Sequence, residues 1–247
     1  MARKETCDIA IIGGGSAAFE AAVSAHQNGA ERIIMLEKAP EEEFGGNARY
    51  SHTGFRFAYD GVDDLRYIAP DSDPDRMDRF YVPPYTSERF LADLNRVTQG
   101  RIDPELAGFL VDQSNSAVRW MYESGMEFEP EKSREIDGQF HFEPGIIAHT
   151  TGGGLGQLLR WRKIATDLGV EIRYQSRVRS ILGDFRGVEG VSVSTPDDDY
   201  ELHAPALIVC AGGFQANSEM RARYLGPNAD LMKVRGSKHN TGEVLRM

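Results

Sequence analysis

Apolar positions fall into three patterns along this chain, and each predicts a different kind of element. Short continuous apolar runs predict strands buried on both faces. The first, in "CDIAIIGGG", ends in glycines and leads into the alanine-rich helical stretch "SAAFEAAVSAHQNG", which Gly29 closes. A second run, "RIIMLEK", completes one βαβ unit within the first 38 residues. From Asp60 to Pro84 the chain turns to Asp, Arg, Tyr and Pro without a period, which reads as an exposed excursion. Helical spacing resumes in "TSERFLADLNRV", capped by Thr86 or Ser87, and in "DPELAGFLVDQSNSAVRWMYESG", with Asp103 as cap and Pro104 at the first helical position. In the second helix Leu106, Phe109, Leu110, Ala117, Trp120 and Met121 form the predicted apolar face, and Gly125 ends it.

After the loop "AHTTGGG" another helix, "LGQLLRWRKIATDLG", is predicted. The third pattern, strict alternation, follows in "VEIRYQS" with "RVRSILGD", in "GVEGVSVST" and in "DYELHA", an antiparallel meander with one wet face. "ALIVCAGGF" is again a continuous apolar strand ending in glycines. The last residues, "RGSKHNTGEVLRM", read as the opening of a helix with Thr241 as cap. The order of elements gives an α/β fold.

Composition narrows the partners. A net charge of −10 argues against nucleic acid or an anionic membrane surface, while leaving room for a local arginine cluster that binds an anionic substrate. Two cysteines, Cys7 and Cys210, without a C-x-x-C spacing argue for a reducing compartment and against a redox disulfide. The apolar stretch near the N-terminus is only four residues, which predicts neither a signal peptide nor a membrane span, so the cytoplasm is expected. No His/Cys/Asp group shows metal-ligand spacing along the chain, and no G-x-S-x-G turn is present.

The strongest chemical signal is Gly13-Gly14-Gly15-Ser16-Ala17-Ala18, a G-x-G-x-x-A pattern set between strand and helix. Glycines there permit a tight turn and close approach of backbone to a pyrophosphate, and the helix N-terminus supplies amides and positive potential. Glu37, 24 residues after Gly13, stands where a carboxylate accepts hydrogen bonds from ribose hydroxyls. Dinucleotide binding is the expectation; a tight structural turn is the plainer reading. The interrupted first unit, the late meander and the glycine pairs Gly45-Gly46 and Gly212-Gly213 suit a flavin domain of the glutathione-reductase type better than a nicotinamide domain.

"GGGSAA", "LEK", "GGNARYS", "GGGLGQLL", "GVEIRYQSRV", "AGGF" and "NTGEVL" occur in the order of the motifs of the FAD-binding-2 family, which the chain resembles over nearly its whole length. That family includes fumarate reductase and succinate dehydrogenase flavoproteins, L-aspartate oxidase and 3-ketosteroid dehydrogenases. The stretch from Tyr85 to Phe128 is most similar to its FAD-dependent tricarballylate dehydrogenases. The resemblance implies a Rossmann-type FAD domain over residues 1–247, with Gly13, Gly15, Ser16, Ala17 and Ala18 around the pyrophosphate, Glu37 on the adenosine ribose and Lys38 beside it. Gly45, Gly46, Asn47 and Ser51 would approach the diphosphate and flavin. Val178, through its backbone, and Ala211, Gly212 and Gly213 would line the adenine side. The family's "TGDG" is represented by Thr241-Gly242-Glu243-Val244, with an acidic residue one methylene longer and no second glycine. The resemblance further implies that a capping domain and a last flavin segment, which carry the substrate-binding Arg and His residues, come after the residues present.

The implied activity is hydride transfer between FAD and a tricarboxylate such as tricarballylate, or the succinate/fumarate pair, with an unidentified electron acceptor. A non-catalytic FAD-binding module is the rival, and an NAD(P)H-using flavin reductase ranks last for want of a second G-x-G-x-x-G. Four further residues are open. His52, in "SHT", suggests covalent flavin attachment, but alignment on Gly45-Gly46-Asn47 puts the attachment position near Asn47, leaving His52 as a loop residue near the cofactor. His149 either faces substrate or flavin or is a polar loop residue. Arg49 and Arg56 are candidate anion contacts or solvated surface arginines.

Overall fold

A computed structural model describes residues 3–70 and 72–247. Met1 and Ala2, at the start of the predicted N-terminal lead-in, and Asp71, inside the predicted excursion, lie outside the described residues. The chain divides into two compact units: Met1–Ser51 with Gln157–Met247, and His52–Gly156. Among the described residues no helix is long and apolar enough to cross a membrane.

The first unit is built on a parallel sheet of Glu171–Arg173, Ile33–Leu36, Ile9–Ile12 and Ala206–Val209, in that order. Ile9–Ile12 is central and Ile33–Leu36 is wholly buried, as their unbroken apolar sequences require. The Ser16–Gln27 helix buries Ala18, Phe19, Ala22 and Val23, and Gly29 follows its end at φ +94°. A second sheet orders Arg3–Thr6, Asp199–His203, Gly187–Ser194 and Arg177–Asp184. Its last three strands form the antiparallel meander read from the alternation. Cys7, Ala10, Ile12, Val178, Val191, Val193 and Leu202 join one core. Burial there pushes the Cys7 thiol up to about 11, so it behaves as a small apolar group.

Two local expectations change in this unit. "RKET" is a strand paired in parallel with Asp199–His203, a role its polar composition conceals. Glu171–Arg173 leaves the meander for the parallel sheet, where Arg173 donates to Glu5, Glu171 and the Tyr200 hydroxyl at 2.7–2.9 Å.

The second unit has two three-stranded sheets, one ordered Gly54–Arg56, Ile146–Thr150, Phe128–Pro130, the other Phe80–Tyr81, Gln139–His141, Arg134–Ile136. Much of its core is aromatic: Phe57, Tyr59, Tyr85, Phe90, Phe128 and Phe142 are buried. The Asp60–Pro84 stretch, expected as an exposed excursion, is instead partly buried. It contains the Val62–Ile68 and Pro74–Met77 helices and buries Leu65, Ile68, Met77 and Val82. Thr86 caps Ser87–Val97 by accepting from the Arg89 amide, and Asp103 caps Pro104–Glu123 by accepting from Glu105 and Leu106.

The second of these helices buries mostly a different face from the predicted one, sharing Met121 with it. Ala107, Val111, Ser114, Val118 and Met121 are inside, whereas Leu106, Phe109 and Leu110 are 68%, 67% and 52% exposed. Ser114 tolerates burial because its hydroxyl donates to Val111 O at 2.7 Å and accepts from the Ala58 amide at 2.9 Å. His149, expected in a loop, stands in the Ile146–Thr150 strand.

Candidate functional site

The parallel strands end together, and their last residues build one edge of a cleft within the first unit. Gly13 donates its amide to Leu36 O at 2.9 Å, and the Cys210 amide donates to Ile12 O at 2.8 Å. Gly13 has φ +123°, and a Cβ there would stand 2.4 Å from Cys210 O, so only glycine lets the two strand ends meet. Two residues on, Gly15 is extended and caps the Ser16–Gln27 helix with its carbonyl, which accepts from Ala18 and Phe19. No side chain caps this N-terminus and its first turn holds no acidic residue. An uncapped helix start of this kind presents amides and positive potential to an anion.

Glu37 closes the neighbouring strand. Its side chain is buried, and Oε1 accepts from the Ala39 amide at 2.7 Å. Burial raises its carboxyl above the usual range, against the smaller opposing pull of the Ala39 amide, His239 and Lys38. Next to it, Lys38 Nζ donates to Thr241 Oγ1 at 2.6 Å and to Glu243 Oε2 at 2.7 Å, and Arg177 donates to Glu243 Oε1 at 2.9 Å. Burial works to raise the Glu243 carboxyl, but the Lys38 and Thr241 hydrogen bonds outweigh it and bring it down to about 2. Where a helix opening is predicted after Thr241, Val244–Arg246 is a 3-10 turn, and the Thr241 hydroxyl bonds Lys38 and Glu243 and does not cap it.

The cleft encloses about 360 Å³, within the range of small-molecule and cofactor sites. It is lined by Gly13, Gly15, Ser16, Ala17, Glu37, Lys38, Gly45, Gly46, Asn47, Val178, Ala211, Gly212, Gly213 and Gly242, residues that come from six separated stretches of sequence. Three expected residues are placed differently. Ala18 is fully buried and packs the helix onto the sheet. Ser51 is exposed beyond the Gly46–Tyr50 turn, and Thr241 acts through Lys38 and Glu243 without lining the cleft. Asn47 lines the cleft, yet its Oδ1 also accepts from the Ser237 amide at 2.9 Å and so anchors that loop.

Sequence reading missed Ser176, Arg177, Gln215, His239 and Asn240, which also line the cleft. Ser176 and Arg177 directly precede Val178, and His239 and Asn240 precede Thr241, so proximity along the chain was the available signal. Arg49 donates to Phe44 O at 3.4 Å and does not line the cleft. His52, Arg56 and His149 belong to the second unit. There Arg56 donates to the Tyr85 hydroxyl at 2.9 Å, beside Asp93.

The chain matches the FAD-binding-2 family, described as an FAD binding domain, over residues 8–247. It is 28% identical over 225 residues to a fumarate reductase (cytochrome) of Shewanella frigidimarina, covering 89% of this chain and 35% of that protein. It is also 25% identical to an NADH:fumarate oxidoreductase of Klebsiella pneumoniae, covering 100% of this chain and 24% of the relative. Among solved structures it resembles the open conformation of a flavocytochrome c3 fumarate reductase, with a TM-score of 0.77 and 25% identity over 98% of this chain and 40% of the other. The chain thus spans about a third or less of the length of these curated relatives. FAD is the cofactor that the family match assigns, and the chain belongs to the FAD-binding-2 family of FAD binding domains.

Proposed function

We propose that this chain is the FAD-holding part of a flavoprotein oxidoreductase that acts on a di- or tricarboxylate, such as succinate/fumarate or tricarballylate. The observation that carries the reading is the glycine-lined cleft at the ends of the parallel strands, beside the buried Glu37. These residues fit the cofactor. A Cβ added at Gly15 would meet nothing nearer than Gly45 O at 3.5 Å, so the backbone there is open to a close-lying diphosphate. Ser16 and Ala17 supply the uncapped helix start, and Gly13 and Ala18 hold that start against the sheet. Glu37 retains acceptor capacity for ribose hydroxyls, because a carboxylate offers about four lone-pair sites and the Ala39 and Gly14 amides take two.

In this reading Gly45, Gly46 and Asn47 approach the diphosphate and flavin, and Val178, Ala211, Gly212 and Gly213 flank the adenine side. Lys38, Gly242 and Glu243 form a fixed wall, with Thr241 behind it, since Glu243 is held by two cations and the Thr241 hydroxyl. Bound FAD supplies hydride chemistry, and the protein supplies binding, orientation and electrostatics. Support for a carboxylate substrate comes from the fumarate reductases among the relatives. A non-catalytic FAD-binding module is the second reading, favoured by the fact that Arg49 and Arg56 do not line the cleft.

An anaerobic titration separates the two. FAD-loaded protein is mixed with succinate or tricarballylate, and separately, after dithionite reduction, with fumarate. Bleaching or recovery of flavin absorbance on carboxylate addition is expected; tightly held FAD that responds to none of them would leave the binding-module reading.

A further inference from the structure

The second unit brings together three side chains that are far apart in sequence. In its first sheet, Gly54 pairs with His149 and Glu129 pairs with the same residue from the other side. His52 and Glu131 flank those two strands, so both converge on the central His149. His52 Nε2 lies 3.1 Å from Glu131 Oε2, and His149 Nδ1 lies 3.6 Å from the same oxygen. The two imidazoles stack at 5.2 Å, and one ligand atom from each of the three residues falls within 4.8 Å of the others.

We propose that His52, His149 and Glu131 form a binding site for a divalent transition-metal ion. Three observations carry this. First, His149 Nδ1 is buried and has no hydrogen-bond partner, and at 3.6 Å it is too far from Glu131 for one. An orphaned buried imidazole nitrogen facing a carboxylate is accounted for by an ion between them. Second, the spacings suit coordination. Ligands at about 2.0–2.1 Å in a tetrahedron stand about 3.3 Å apart, and the two measured separations, 3.1 and 3.6 Å, bracket that value. His52 is 68% exposed and free to close the remaining gap.

Third, the surroundings are those of a supported ligand set. His149 Nε2 faces the Glu129 carboxylate at 3.8 Å, the arrangement in which a carboxylate orients a metal-bound imidazole. Each histidine is followed by a threonine, and the two threonines are tied together. Thr150 Oγ1 donates to Thr53 Oγ1 at 2.7 Å, and the Thr150 amide donates to the same oxygen at 3.3 Å. Thr53 is held at φ +60°, a left-handed conformation unfavourable for a β-branched residue. Backbone strain of this kind persists where the surroundings over-determine it, as the two Thr150 contacts do here.

Two imidazoles and one carboxylate suit zinc or ferrous iron with a position left for water, and disfavour magnesium or calcium. The test is calorimetry of untagged, chelator-stripped protein with Zn2+, with Mg2+ as control and cobalt absorption to report nitrogen ligation. One Zn2+ per chain is expected, with at least a 100-fold loss of affinity in His149→Ala and in Glu131→Gln. His52→Ala provides a variant at an exposed position, where failed folding cannot mimic the loss. Glu129→Gln should weaken binding about 10-fold through the orienting contact. No uptake by the parent protein, or uptake that survives both His52→Ala and Glu131→Gln, would overturn the proposal.

Discussion

The two units solve the problem of holding a site in opposite ways. In the first, the cleft is made largely from backbone: glycines at the ends of parallel strands and an uncapped helix start, with side chains such as Glu37 and Glu243 fixed around it. In the second, side chains do the work. An aromatic core supports a sheet whose central strand carries His149 and whose outer strands are flanked by His52 and Glu131. A backbone site tolerates little change at its glycines but much at its rim. A side-chain site loses its chemistry with one residue while the fold persists. The contrast makes the units separable by mutation.

The largest expected effect is in the first unit's core. Phe19→Ala empties a fully buried position and should cost about 3–5 kcal/mol in chemical denaturation, with loss of FAD uptake. Next comes Gly13→Ala, where a Cβ would collide with the Cys210 carbonyl in a positive-φ conformation. We expect about 2–4 kcal/mol and loss of flavin binding, read by denaturation and absorbance. If Gly13→Ala binds FAD normally, the strand-end contact does not shape the site.

The Pro104–Glu123 helix offers a smaller, paired test within the second unit. Val111→Ala should destabilise by about 1–3 kcal/mol, while Phe109→Ser, at an exposed position, should stay within about 0.5 kcal/mol. The reverse order of effects would mean that the buried and exposed faces have been exchanged. FAD binding should survive both.

The smallest effect is one of pH. Glu243, held at about 2, contributes stability that is fully present above the unfolded carboxylate value of about 4.3 and is lost as pH falls from there toward 2. Glu243→Gln should flatten that part of the stability curve. Glu37 has the opposite sign: its folded value is raised, so its ionisation opposes folding as pH rises. Ribose hydroxyls favour the carboxylate, so FAD affinity should be complete above the raised value and fall as pH drops through it. A pH-independent affinity would remove Glu37 from the ribose role.

Legibility in the sequence follows the same division. The first unit was readable because a strand buried on both faces must be continuously apolar, as in Ile9–Ile12, and because Gly13 and Gly15 announce a turn that few other residues permit. Much of the second unit was not. Its core is drawn from scattered aromatics such as Tyr59 and Tyr85, which share no period. The Pro104–Glu123 helix carries two stripes at helical spacing, and the less apolar one is buried, with its one polar member, Ser114, satisfied by Ala58 and Val111. The grouping of His52 with His149, 97 residues apart, depends on strand pairing that local spacing does not encode.

The most direct test of the central claim, that this chain's own cleft holds FAD without a covalent bond, is a visible absorption spectrum of the purified protein after FAD addition and desalting, repeated on the supernatant of an acid precipitation. The account predicts a yellow protein whose flavin passes entirely into the supernatant. A colourless protein that takes up no added FAD, or flavin that stays in the acid pellet, would contradict it.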